Sequence, residues 1–394
     1  MLGGVRGLDD VCIDRPHRRS RRNATCAMLH LDPASAVPYL RQRGWLAPGQ
    51  ACQVQALSGG VSNVVLRVHA LPDGPQIVLK QALPELRVAQ LWQCPVERIW
   101  REVQVLRWCQ QLLGGTADAG FHPSQRAAEG APAPAEAFLR YQVPELLWED
   151  RANYLYAMSA APRAASTYKQ KLLAGELHDA SEVACAAGRL LADLHGRSWQ
   201  QAAVAADLDD RQFFQMLRVD PYYRHVQQVH PDRAAAIEAL IDALDAHRLC
   251  LVHGDYSPKN LLVAPQALWL IDFEVGHYGD PAFDVGFFLT HLALKALHAG
   301  PEASSRLALV DCFWQAYADE LAGHAGRAAA IALQPRALGH LAGCMLARVD
   351  GKSPVDYLTP QQQAAARHLA RTWLDRPPSD LAAVCQTLQQ MASA

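Results

Sequence analysis

The stretch from Leu251 to Gly286, LVHGDYSPKNLLVAPQALWLIDFEVGHYGDPAFDVG, decides the fold. An apolar run over 249–252 ends abruptly on His253-Gly254-Asp255. Asn260 follows and opens a second run, Leu261-Leu262-Val263. A turn at Pro265 leads into Leu268-Trp269-Leu270-Ile271, which ends on Asp272, with Glu274 close behind. Short apolar runs bounded by turn residues are strand signals. Pairing them as a β-hairpin brings Asp255, Asn260 and Asp272 to one end of a sheet.

Such a cluster suits phosphoryl transfer, in which a protein contributes positioning and neutralisation of charge on phosphate oxygens. One acid accepts a hydroxyl proton, while an amide and an acid hold Mg²⁺, a hard cation that needs only a few protein oxygens. The protein-kinase signature H-R-D-L-x-x-x-N followed by D-F-G has the same Asp-to-Asn spacing. Here Gly254 replaces the middle Arg, and the second motif reads Asp272-Phe273-Glu274. The plainer alternative is a buried strand pair with incidental capping acids, which four motif elements in the right order argue against.

His253-Gly254-Asp255 with Asn260, then Ile271-Asp272-x-Glu274, then GDPAFD resembles the aminoglycoside phosphotransferase superfamily. The Asp-x-Glu form is most similar to the methylthioribose kinase and choline kinase branch. The resemblance implies an α+β, two-lobed protein-kinase-like fold. A small N-terminal antiparallel β lobe with one helix precedes a larger, mainly helical C-terminal lobe. It also implies ATP and Mg²⁺, with Asp255 as base, Asn260, Asp272 and Glu274 on the metal, and His253 and Asp284 as structural support. Asp284 is expected to brace the catalytic loop, a role compatible with a helix N-cap. Tyr256-Ser257-Pro258 departs from the methylthioribose-kinase branch, which often carries a histidine there. A catalytically inactive nucleotide-binding regulatory module is the competing reading.

The sequence before this stretch supplies the other half of such a site. Residues 51–57, a second run through Ala70, and Ile77-Val78-Leu79-Lys80 read as three strands. Gly59, Gly60, Ser62 and Asn63 form the first turn, where glycines let backbone N–H groups approach phosphates. Lys80 ends the third strand, as the lysine of the kinase V-A-I-K strand does. Val96, Ile99, Val103 and Leu106 form a helical stripe, and Glu102 lies along that inward face. An inward carboxylate needs a partner, and Lys80 is the expected one, with Glu97 the alternative acid. Ser159 to Pro162 is read as the hinge between lobes, with the backbone of Ser159 and Ala161 facing adenine.

Composition bounds the rest. The chain has 394 residues, half of them hydrophobic, and a net charge of −2. That balance gives no support for a nucleic-acid or membrane partner. The ten cysteines are scattered without metal-site spacing, which suits reduced thiols in a cytoplasmic protein. Residues 1–27, with the basic run RPHRRSRR, read as a disordered leader ahead of Met28. Residues 28–160 are then the nucleotide-binding lobe, and 161–394 the catalytic and substrate lobe. Residues 114–136 read as a surface insertion, and Gly300 and Gly323 as loops between late helices. His195 reads as a core histidine, while 220–224 and 348–353 are polar clusters that suit either packed turns or substrate contact. The acceptor is a small-molecule hydroxyl whose identity the sequence leaves open.

Overall fold

The computed structural model describes residues 28–57, 62–85, 93–114 and 139–393. Gly59, Gly60, the leader 1–27 and nearly all of the insertion 114–136 lie outside the described residues.

The N-terminal part is a five-stranded antiparallel sheet. Its strands are β1 (Cys52–Ala56), β2 (Asn63–Ala70), β3 (Gln76–Ala82), β5 (Leu146–Asp150) and β6 (Leu155–Ser159), in the order β1-β2-β3-β6-β5. β3 is central and buried on both faces, and the period-2 alternation of a strand sorts its side chains. Ile77 and Leu79 pack with Leu31, Tyr39 and Leu40 around the helix Pro33–Gln42, which the sequence pattern does not announce. Val78 and Ala82 pack on the other face with Ile99, Val103 and Leu106 of the helix Arg98–Leu113. Lys80 lies between Val78 and Ala82 in that alternation, so it points at the helix.

The C-terminal part is mostly helical. β4 (Arg140–Gln142), β7 (Ser166–Thr167), β9 (Leu261–Ala264) and β10 (Ala267–Leu270) form a small sheet in the order β4-β10-β9-β7. β9 and β10 are the hairpin that the turn at Pro265 predicts. One correction concerns β8 (Cys250–Val252). It does not join that hairpin but pairs antiparallel with β11 (His277–Gly279), a strand too short to carry a sequence signal. The helix Pro281–Ala299 follows and is buried around its whole circumference up to Leu297. Helices Ala180–Arg197, Ala303–Ala325 and Arg327–Asp350 enclose it in one core. Gly323 sits inside the helix Ala303–Ala325, and the break falls at Gly326, whose φ of 86° suits a glycine. Among the described residues no helix is long and apolar enough to cross a membrane.

Candidate active site

Two loops and three strand ends bring the candidate side chains together. Asp255 follows β8, Asn260 precedes β9, and Asp272 follows β10. Gly254 makes the first loop possible, because its φ is 74° and a Cβ there would meet the Val275 carbonyl at 2.8 Å. Asp284 holds the loop from below. Its Oδ2 accepts from the His253 N–H at 2.6 Å, and its Oδ1 accepts from the Gly254 N–H at 2.8 Å. It is not the helix N-cap; Asp280 caps that helix by accepting from Ala282 N–H, and Asp284 lies in the first turn. His195 is fully buried and satisfied by the Tyr317 hydroxyl at 2.9 Å and Asp284 at 3.2 Å.

Lys80 meets two acids at once. Its Nζ lies 2.5 Å from Glu102 Oε1 and 2.6 Å from Asp272 Oδ1. Glu102 Oε1 also accepts from the Phe273 N–H at 3.3 Å, tying the helix Arg98–Leu113 to the Asp272 turn. Burial alone would lower the Lys80 pKa, but Asp272 and Glu102 outweigh it and hold it well above the ordinary value. Burial raises Glu102 to about 7 against the pull of Lys80. Glu97, the alternative partner, instead accepts from the Tyr154 hydroxyl.

Asp255 is buried and held by cations that the sequence motifs do not reveal. Arg218 Nη2 lies 2.8 Å from its Oδ1, and Lys259 Nζ lies 3.0 Å from its Oδ2. Burial works against the charge, yet Arg218 and Lys259 keep the carboxyl below its ordinary value. Asn260 Nδ2 donates to Asp255 Oδ2 at 2.8 Å and to its backbone carbonyl at 2.9 Å. Arg218 comes from the π-helical stretch Gln215–Arg224, which carries no periodic signal in the sequence.

Glu274 is placed differently from Asp272. Its carboxylate accepts from the Ser62 hydroxyl at 2.8 Å and from Asn63 Nδ2 at 3.0 Å. Arg98 Nε approaches the same group at 3.4 Å. Arg98, fully buried, also donates to the carbonyls of Ser62, Leu83, Cys94 and Pro95. The side chains of Ser62 and Asn63 thus clasp Glu274 across the two parts of the molecule. Oxygens of Glu102, Asp272 and Glu274 lie within 4.8 Å of one another. The Glu274 carboxylate has about four lone-pair sites, so it can keep the Ser62 and Asn63 hydrogen bonds and still face a cation. At residues 159–161, the Ser159 hydroxyl accepts from the Glu145 N–H, and the Ala161 carbonyl accepts from Arg67.

A profile described as APH, phosphotransferase enzyme family, matches residues 53–328, a span that includes every side chain of this site. The chain belongs to this family. The phosphotransferase is 24% identical over 322 residues to a methylthioribose kinase of Pectobacterium carotovorum subsp. carotovorum (strain PC1), covering 72% of each chain. It is 26% identical over 312 residues to a methylthioribose kinase of Yersinia pseudotuberculosis serotype O:3 (strain YPIII), again covering 72% of each. Its fold is similar to a crystal structure of choline kinase from Cryptosporidium parvum Iowa II. That match has a TM-score of 0.51 and 12% identity, and covers 90% of this chain and 100% of the other. The phosphotransferase therefore has the protein-kinase-like architecture, with its sheet first and its helices after.

Proposed function

We propose that this phosphotransferase moves the γ-phosphate of ATP to a hydroxyl of a small molecule. The convergence of Lys80, Glu102 and Asp272 from three distant stretches, beside a carboxylate held ionised at Asp255, carries the reading. The similarity to methylthioribose kinases supports a small hydroxyl acceptor. In this reading residues 28–160 bind the nucleotide, and 161–394 supply the catalytic loop and the acceptor site.

Each residue then has a distinct task. Asp255 takes the acceptor's hydroxyl proton as that oxygen bonds to the γ-phosphorus. The bond from the γ-phosphorus to the β,γ-bridging oxygen breaks, and ADP leaves with the electron pair. Lys80, aligned by Glu102, holds the α- and β-phosphates, and the backbone at Ser159 and Ala161 faces adenine. The residues fit a hard cation. Lys80 pairs with Oδ1 of Asp272, an acid held below its ordinary pKa, and Asn260 spends its amide nitrogen on Asp255. Asp272 Oδ2 and Asn260 Oδ1 are therefore the atoms that would hold Mg²⁺, with Glu274 as a third donor. When bound, the ion neutralises charge on the β- and γ-phosphate oxygens.

Calorimetry of Mg·ATP binding beside ADP formation tests this on two variants. Asp272→Asn is expected to weaken Mg·ATP binding and abolish turnover. Asp255→Asn is expected to keep nucleotide affinity within a few-fold while turnover falls by ~10² or more. If both variants bind and turn over like wild type, Asp255 and Asp272 do not carry the reaction; nucleotide binding with no ADP formation by wild type itself would make the protein a regulatory module instead.

A further inference from the structure

The C-terminal part concentrates positive charge that the transfer chemistry does not consume. Lys295, on the helix Pro281–Ala299, is 2% exposed. Its Nζ donates to the His291 carbonyl at 3.3 Å, and among the described residues no carboxylate lies within ion-pair distance of it. Lys169 comes from a different helix, yet its Nζ and that of Lys295 sit 5.8 and 5.4 Å from the centroid of the same Tyr357 ring. Lys169 has an acid nearby, Asp356 at 3.8 Å, but that carboxylate is 84% exposed and water screens it.

These groups surround His291, one turn before Lys295. Burial, then the charges of Lys295, Arg348, Lys259 and Lys169, hold its imidazole well below the ordinary pKa. Burial, Lys169 and Arg348 likewise pull Lys295 down to about 7. The cluster is continuous with the catalytic loop. Lys259 reaches Asp255 at 3.0 Å, and the Lys169 backbone N–H donates to the Pro258 carbonyl at 2.8 Å.

A buried ammonium without a counter-charge is costly, and an apolar side chain of the same length would stabilise the fold more. Two further polar groups there, the Tyr357 hydroxyl and Arg348 Nε, are buried without a hydrogen-bond partner. Donors exceed acceptors, and a group with several negatively charged oxygens complements that imbalance. We propose that Lys169, Lys295, Arg348 and Tyr357 recognise a carboxylate or phosphate on the acceptor, so that the enzyme phosphorylates an acidic small molecule. The proposal rests on Asp255 facing the acceptor's hydroxyl. A cationic acceptor would meet like charge at Lys169, Lys295 and Arg348.

Thermal denaturation of the full chain, with Mg²⁺ and a saturating non-hydrolysable ATP analogue, tests it with four probes. They are D-glycerate, glycerol 3-phosphate, glycerol and choline; saturating nucleotide keeps the anions out of the phosphate-binding side. One or both anions are expected to raise the melting temperature, while glycerol and choline leave it unchanged. Which anion acts separates a carboxylate from a phosphate site. Lys295→Met is expected to weaken anion binding about tenfold or more, yet to raise the melting temperature of the unliganded protein. Arg348→Gln gives a second, independent loss of anion binding. The proposal is overturned if neither anion stabilises, if glycerol or choline does so equally, or if Lys295→Met binds the anions like wild type. Failure of the underlying reading looks different, because the wild-type protein would then form no ADP from Mg·ATP, whether or not the analogue stabilises it.

Discussion

Lys80 Nζ and Asp272 Oδ1 lie 2.6 Å apart although 192 positions separate them in the chain. The contact joins the central strand of the N-terminal sheet to the turn after β10, with Glu102 as the third member. Lys80 is thus the point through which the two parts of the site are aligned. Lys80→Met is expected to lower turnover by about 10²-fold, since it removes a preorganised cation from the phosphates. Glu102→Gln should lower it about tenfold, because the lysine stays but loses its orienting partner. Steady-state ADP formation checks both, with circular dichroism to confirm that the fold is kept. Equal rates in all three proteins would remove Lys80 from the site.

The Gly254 position tests how the loop is built. Its φ of 74° disfavours any side chain, and a Cβ would sit 2.8 Å from the Val275 carbonyl oxygen, so alanine has no room there. Gly254→Ala is expected to cost about 2 kcal/mol or more, from backbone strain together with the clash. Urea unfolding measures that loss. Turnover should fall as well, because the displaced peptide carries Asp255 with it and breaks the Gly254 N–H bond to Asp284.

The sequence made some of this architecture legible, for identifiable reasons. Lys80 and Glu102 were readable because each interrupts an apolar period, one in a strand and one in a helix, and a charge on an inward face needs a partner. The β9–β10 hairpin was readable from its turn. The partner of β8 is not legible, because three apolar residues fit either neighbour and only His277–Gly279 fixes the choice. Arg98 and Arg218 were missed because an arginine at a helix start or in a polar segment looks solvated. Their burial follows from packing across the two parts of the molecule, where Arg98 gathers carbonyls and Arg218 pairs with Asp255.

A pH dependence follows from a cluster away from the site. His324 Nε2 hydrogen-bonds Asp193 Oδ1 at 3.1 Å and lies 3.7 Å from Glu320, and these two acids raise its pKa to about 9. The folded value exceeds the ordinary 6.5, so the native state binds the proton more tightly than the unfolded chain. This stabilisation is complete below about pH 6.5 and lost as pH rises through about 9. The side chain is partly exposed, so screening holds the effect to about 1 kcal/mol. His324→Gln should flatten the fall in stability that wild type shows across that window, measured by urea unfolding at each pH. An unchanged slope would mean that the acids do not hold the proton.

Arg218 offers the sharpest test of how the base is held. Burial alone would raise the Asp255 pKa, and Arg218 is the first of the cations that bring it down. The arginine touches Asp255 and the Gly254 carbonyl, at 2.8 Å in each case, so in the proposed reading, where Asp255 is the base, it positions that carboxylate and keeps it ionised. Arg218→Met therefore has a consequence that a loss of packing alone would not produce. The Asp255 pKa should rise, and the acid limb of the pH profile of kcat/KM should move to higher pH, because more of the base is protonated at a given pH. The same variant should keep Mg·ATP affinity within a few-fold, since Arg218 does not contact the Lys80 side of the site. Arg218→Lys restores a charge without the paired geometry, so it should return the acid limb toward wild type while kcat stays about tenfold low. If Arg218→Met lowers kcat at every pH without moving the limb, the arginine only shapes the loop. Lys259, 3.0 Å from the other oxygen, would then be the cation that sets the charge of the base.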